Sequence, residues 1–157
     1  MAVPSLGFSG KPIDYQDEPI VNGVVFWPDL NLGEFQRSRT IPPDLPASTA
    51  AQALLAAVAE VNDSLGDVVI YWRARGHEQA IDVPGARAGN ENQLTAQYKK
   101  AIYARAKADL LGEFASIGRR ETHPGQESAE TRDILLAEAA VVLRNMQRYP
   151  RVGVHLI

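Results

Sequence analysis

Prolines decide how the first third of this chain can fold. Seven of its ten prolines fall within the first 46 residues, at positions 4, 12, 19, 28, 42, 43 and 46. Each lacks a backbone donor and biases the residue before it toward extended backbone. A long helix cannot run through such a stretch, so residues 1–45 are expected to form an extended N-terminal arm. The arm is not a polar tail. Ile20 to Trp27 reads Ile-Val-Asn-Gly-Val-Val-Phe-Trp, apolar and β-branched, and is closed by Pro28-Asp29. Such a run needs a surface to lie on. Phe26, Trp27, Pro28 and Asp29 are therefore candidate interface residues, since aromatic side chains are enriched where proteins dock. The competing reading is that the arm packs onto its own bundle.

From residue 46 to 149 the pattern becomes helical. Thr49 and Gln52 match a capping box, and Leu54, Val58, Val61 and Leu65 then fall on one helical face. Val68 to Trp72 suits either a buried strand or a helix; the alignment of Leu65, Val68/Val69 and Trp72 favours a short helix to about Arg75. Residues 83–89 read as a loop from their Pro and Gly content. A long helix is expected over 91–117, with an alanine-rich face that lets a neighbour approach closely, ended by Gly118. Another is expected from Ser128 to Tyr149, with Leu135, Val142, Met146 and Tyr149 in register, stopped by Pro150. Residues 150–157 alternate like a strand, which marks Arg151, Val152, Val154 and Leu156 as a further candidate interface that adds a strand to a partner. The expected class is mainly α: a bundle of about four helices between an extended arm and a short strand-like tail.

The composition excludes several kinds of chemistry. The 157 residues contain no cysteine, so there is no disulfide, no thiol nucleophile and no cysteine-ligated metal site. A net charge of −3 lacks the basic surplus of a protein built to grip nucleic acid. The uncharged stretch from Leu45 to Ala59 is too short to span a bilayer, and Met1 to Ser5 lacks a signal-peptide layout, so a soluble, unsecreted protein is expected. His77, His123 and His155 are scattered and show no metal-ligand spacing. Glu60, Asp63 and Asp67 could serve a small muramidase, but their placement suits a solvated helix surface. The glycine-bearing segment Gly85 to Gly89 lacks the Gly-Lys-Ser/Thr ending of a phosphate loop. No catalytic, cofactor-binding or metal-ligating residue emerges.

Four segments in order resemble the L-type head completion family of temperate contractile-tailed phages. They are Val24 to Asn31, Asp82-Val83-Pro84, Tyr98 to Leu110 with its alanines at 101, 104, 106 and 108, and Arg144 to Arg151. Residues 1–19 show no correspondence. The resemblance implies a structural virion protein with no enzyme activity and no cofactor. It would be assembled in the host cytoplasm and located at the head–tail junction. It would bind the portal protein ring after DNA packaging, as a ring of about twelve copies of itself. It would also offer a joining surface to a tail-completion protein and let packaged DNA pass without tight binding; no membrane is involved. A small enzyme or a DNA-packaging accessory remains the alternative, the latter requiring a basic face on residues 99–107.

Overall fold

The longest helix forms where alanine recurs most densely. The computed structural model describes residues 15–117 and 126–148. Its helices are Leu32–Ser38 (α1), Ala47–Ser64 (α2), Gly66–Arg73 (α3), Gln93–Ile117 (α4) and Gln126–Met146 (α5). Two antiparallel pairs accompany them: Pro19–Ile20 (β1) with Leu30–Asn31 (β2), and Arg87–Ala88 (β3) with Glu91–Asn92 (β4). A 3-10 turn, Ala80–Asp82, precedes β3. The mainly α class expected from the sequence is the observed one.

Helix α4 is the axis of the fold. Tyr98, Ala101, Ile102, Ala104 and Ala106 are all fully or almost fully buried, so the helix is covered on more than one side. One side meets α2 through Leu54, Val58 and Val61, all on the face read from the sequence. The other meets α5, where Ala104, Ala108 and Leu111 pack with Leu135 and Ala139. Side chains this small let two helix backbones come close, as the alanine pattern led us to expect. Arg39 fastens this pair from outside, donating to Glu138 at 2.8 and 3.2 Å. The hydrogen bond from Arg39, the main cause, and neighbouring positive charge hold the Glu138 carboxyl below its ordinary pKa.

Residues 15–45 correct the extended-arm expectation. They contain the fifth helix, α1, in the proline-free window between Pro28 and Pro42. Asn31 caps it by accepting from the Glu34 amide at 3.0 Å. Phe35 and Leu32 on α1, with Phe26, Trp27, Ile41 and Leu45 around it, are all buried against the bundle. The segment therefore supplies core. Residues 15–17 cross α1 closely over Gly33, where a Cβ would lie 2.5 Å from Asp17 Oδ1 and 3.1 Å from the Gln16 carbonyl.

Smaller corrections concern helix ends. α2 starts at Ala47 after Pro46, with no side-chain cap, so Thr49 and Gln52 do not form the expected box. Pro46 sits just outside the helix, where its missing N–H costs nothing, and exposed Ala47 and Ser48 leave their amides to water. Residues 68–73 are helical, within α3, which ends at Arg73, two residues before the expected Arg75. The 83–89 loop carries strand β3 of a tight hairpin that turns at Gly89, φ 57°, and Asn90. α5 ends at Met146, three residues before the expected Tyr149, with Arg148 in the left-handed region at φ 56°. Gly118, residues 119–125, His123 and residues 149–157, including Arg151, Val152, Val154, Leu156 and His155, lie outside the described residues.

The exit from α1 stores strain. Ile41 N donates to the Gln36 carbonyl at 3.0 Å and Thr40 N to that of Arg37 at 3.4 Å, the paired bonds of a Schellman turn. Thr40 occupies its left-handed position at φ 52°, where glycine is the usual residue and β-branching is costly. Thr40→Gly is expected to stabilise the fold by about 1 kcal/mol, raising the thermal midpoint by about 2–4 °C. Differential scanning calorimetry checks this, and a lowered midpoint would contradict it.

Candidate interface

Asn22 lies in the middle of an apolar run, and burial obliges its amide to find partners. Its Nδ2 donates to the Tyr98 hydroxyl at 2.6 Å, the hydroxyl donates to Asn62 Oδ1 at 2.7 Å, and Asn62 Nδ2 returns to Asn22 Oδ1 at 3.1 Å. Each side chain donates once and accepts once, so the ring of bonds closes. It joins the N-terminal segment to the end of α2 and the start of α4. Asn22 also shapes its own loop: Oδ1 accepts from Val24 N at 3.0 Å, Nδ2 donates to the Pro28 carbonyl at 3.1 Å, and the backbone N donates to Asp29 Oδ1 at 2.8 Å. Burial, the main cause, pushes the Tyr98 phenol up to about 12 against the opposing hydrogen bonds of Asn22 and Asn62.

The Trp27 ring stacks flat on Tyr98, centroids 4.4 Å apart at 1°, and Phe26 meets Trp27 edge-on at 4.8 Å. Phe26 is 1% and Trp27 3% exposed, so neither faces a partner. Trp27 Nε1 makes no hydrogen bond among the described residues, a cost of about 1–3 kcal/mol that stacking and burial offset. With the aromatics turned inward, their β-branched neighbours point out: Val21 is 74% and Val25 72% exposed. Pro28 is half-buried and Asp29 exposed. Val25 borders a cleft of about 480 Å³ whose far wall carries Gln79, Ile81 and Glu91. The outer surface of the 21–29 turn is thus two valines and a carboxylate. Phe26 and Trp27, expected from the sequence as interface residues, lie instead in the subunit's own core, because large aromatics serve a core as well as an interface.

Two polar clusters fix the cleft's floor. Asn92 donates to the carbonyls of Ala80 and Val83 at 2.7 and 3.0 Å. It also exchanges bonds with Thr95, accepting from its amide at 2.8 Å and donating its own amide to Oγ1 at 3.0 Å. This reciprocal cap starts α4 and pins the 80–83 turn to it. Its signal, Asn followed three residues later by Thr, is present in the sequence and was missed. Below it, Lys99 Nζ lies 2.6 Å from Glu91 Oε1 and 3.2 Å from Glu34 Oε1, and Tyr103 donates to Glu34 at 3.0 Å. Burial works against the charged Lys99, but these two carboxylates outweigh it and raise its pKa. Burial first, and then the Glu34 charge, hold the Tyr103 phenol well above its ordinary range.

The other sequence candidates are dispersed. Glu60, Asp63 and Asp67 are exposed on the helix surface, with Glu60 paired to Arg105. The His77 ring rests edge-on to Trp72 at 5.7 Å. Residues 99–107 do not form one basic face: Lys99 and Arg105 are ion-paired to different elements, and Lys107 donates to the Arg39 carbonyl at 2.7 Å. No described helix is long and apolar enough to cross a membrane.

Comparison with known proteins adds a consistent finding. Residues 21–157 match the family described as phage head completion protein (GPL). The chain is similar to the probable head completion/stabilization protein of Haemophilus phage HP1 (strain HP1c1), at 35% identity over 96% of this chain and 99% of that protein. It is also similar to the head completion/stabilization protein of Escherichia phage P2, at 22% identity over 78% of this chain and 71% of that protein. No solved structure matches.

The hydrogen-bonded ring makes two measurable claims. Tyr98→Phe leaves Asn22 and Asn62 short of partners and is expected to cost about 1–3 kcal/mol at neutral pH. An unfolded tyrosine ionises near 10 and Tyr98 near 12, so between these values only the folded chain keeps the proton. Stability from this source is complete below pH 10 and is lost as pH rises through about 12. Urea unfolding above pH 10 should therefore show a shallower fall for Tyr98→Phe than for the parent chain; equal slopes would refute the assignment.

Proposed function

Because the chain belongs to the family of phage head completion proteins (GPL), we propose that it completes the head at the portal vertex: it binds the portal ring after DNA packaging and presents the surface to which the tail joins. It works as a ring of about twelve copies, matched to the portal, assembled in the host cytoplasm and retained in the virion at the head–tail junction. Its partners are the portal, its own neighbours and the tail-completion protein. It acts through protein surfaces and performs no chemical step. The observation that carries this reading is the reach of the family match, residues 21–157, which takes in both the exposed-valine turn and the C-terminal tail.

Two surfaces do the joining. Val21 and Val25 offer apolar contact beside the Asp29 carboxylate, and Val152, Val154 and Leu156 add a strand to a neighbour or the portal. Arg151 stands at the start of that tail and supplies a charged contact.

Electron microscopy of the protein mixed with portal rings is expected to show added density at the portal's outer end. Val21→Asp with Val25→Asp, or deletion of residues 151–157, should leave the thermal midpoint nearly unchanged while abolishing that density. Portal rings that gain no density with the parent chain would overturn the proposal. A truncated chain that melts much earlier would assign the tail to the subunit's own core.

A further inference from the structure

The cations of the described residues differ in what they face. Arg37, Arg39, Lys99 and Arg105 each lie within ion-pair distance of a carboxylate. Arg73, Arg75, Arg87, Lys100, Arg132, Arg144 and Arg148 are exposed and have no carboxylate within ion-pair distance among the described residues, though the Lys100 charge still acts on Glu138. Four of these, Arg75, Arg87, Lys100 and Arg148, are contiguous. A hollow of about 240 Å³ lined by Arg148, Gln93 and Gln97 adjoins one of about 370 Å³ lined by Arg87, Lys100 and the same two glutamines. Arg144 lies in the last turn of α5, which ends at Met146, two residues before Arg148. The chain's net charge of −3 therefore conceals a local basic stripe running from the ends of α3 and α5 across the start of α4 to the β3–β4 hairpin.

Two guanidiniums of the stripe are held in place by an aromatic ring. The Arg75 guanidinium sits 3.4 Å from the centroid of the Tyr71 ring, and that of Arg148 lies 5.4 Å from it while donating to the Tyr71 hydroxyl at 2.7 Å. Stacking on an aromatic face fixes a guanidinium while leaving N–H groups at its edge free for phosphate oxygens. Three of the four cations are arginines, the planar donors that suit phosphate, and Gln93 and Gln97 add neutral donors between them. Against them stands Asp67, which lines the hollow beside Tyr71 and Arg148; Glu91, on the other hollow, is already paired with Lys99. The surface is also long: α4 alone rises about 10 Å between Gln93 and Lys100, and double-stranded DNA presents a charge every ~1.7 Å.

We propose that this stripe contacts the phosphate backbone of double-stranded DNA, without sequence preference. The proposal rests on the head-vertex reading only in saying where the DNA is met. Its binding is weak and salt-dependent, which lets DNA lie against the protein without arresting its movement.

Fluorescence anisotropy of the full chain with a labelled duplex tests it. Affinity is expected to fall roughly a hundredfold between about 50 and 200 mM salt, the response of about four phosphate contacts. Arg87→Gln and Arg148→Gln should each reduce the slope against log salt by about 0.9, while Arg105→Gln, which removes a cation already paired, leaves it unchanged. Circular dichroism confirms that each variant is folded. No duplex binding at about 50 mM salt, or a slope indifferent to both stripe substitutions, would overturn the proposal. Stripe variants that keep duplex binding but lose portal density would make the surface a protein interface, overturning this proposal and leaving the head-vertex reading intact. Loss of portal density in the parent chain with duplex binding preserved would do the reverse.

Discussion

The 21–29 turn lies between two short strands, has no helix or ladder of its own and must borrow a framework. Here the loan comes through the closed ring of Asn22, Tyr98 and Asn62, with the Trp27 ring stacked on the same tyrosine. Three buried polar groups satisfy one another, and the aromatic stack excludes water around them. Removing any one leaves two desolvated groups without partners, which is why such a ring fixes register as well as affinity. The 21–29 turn, the start of α4 and the end of α2 are all positioned by it. The exposed valines stand where they do because Asn22, Phe26 and Trp27 between them face inward.

Much of the bundle was legible in the sequence. Leu54, Val58, Val61 and Leu65 on α2, and the alanines of α4, are buried as their spacing requires, because helical periodicity is a local signal and burial follows it. The N-terminal segment was misjudged for a physical reason. Counting prolines showed where a long helix is impossible and passed over the window from Asp29 to Ile41, which is long enough for two turns and carries its own cap at Asn31. The inward orientation of Phe26 and Trp27 depends on Tyr98, more than seventy residues away. No local pattern encodes such a pairing. The reciprocal cap of Asn92 and Thr95 was readable, whereas the cleft beside it exists only once turn, hairpin and helix meet.

Charge follows a similar division. Ion pairs such as Arg39–Glu138 and the contacts of Lys99 with Glu34 and Glu91 join distant segments and are partly shielded from water. Arg75, Arg87 and Arg148, with no carboxylate at ion-pair distance among the described residues, lie instead where α3 and α5 end and on the β3–β4 hairpin. In sequence the two kinds of cation look alike, interleaved with acids throughout. Only the fold separates those consumed by internal structure from those left for a partner.

Arg39 and Glu138 are 99 positions apart, and Asn22 and Tyr98 are 76 apart. Contacts so distant along the chain make folding slow relative to helix formation, because the loop must close before the contact rewards it. The 21–29 turn leaves the ribosome early and has nothing to rest on until α4 emerges, and α5 must follow before Arg39 is held. A nascent or prematurely ended chain thus has helices but not the ordered valine surface. The valine surface is ordered last, by the part of the chain synthesised after it.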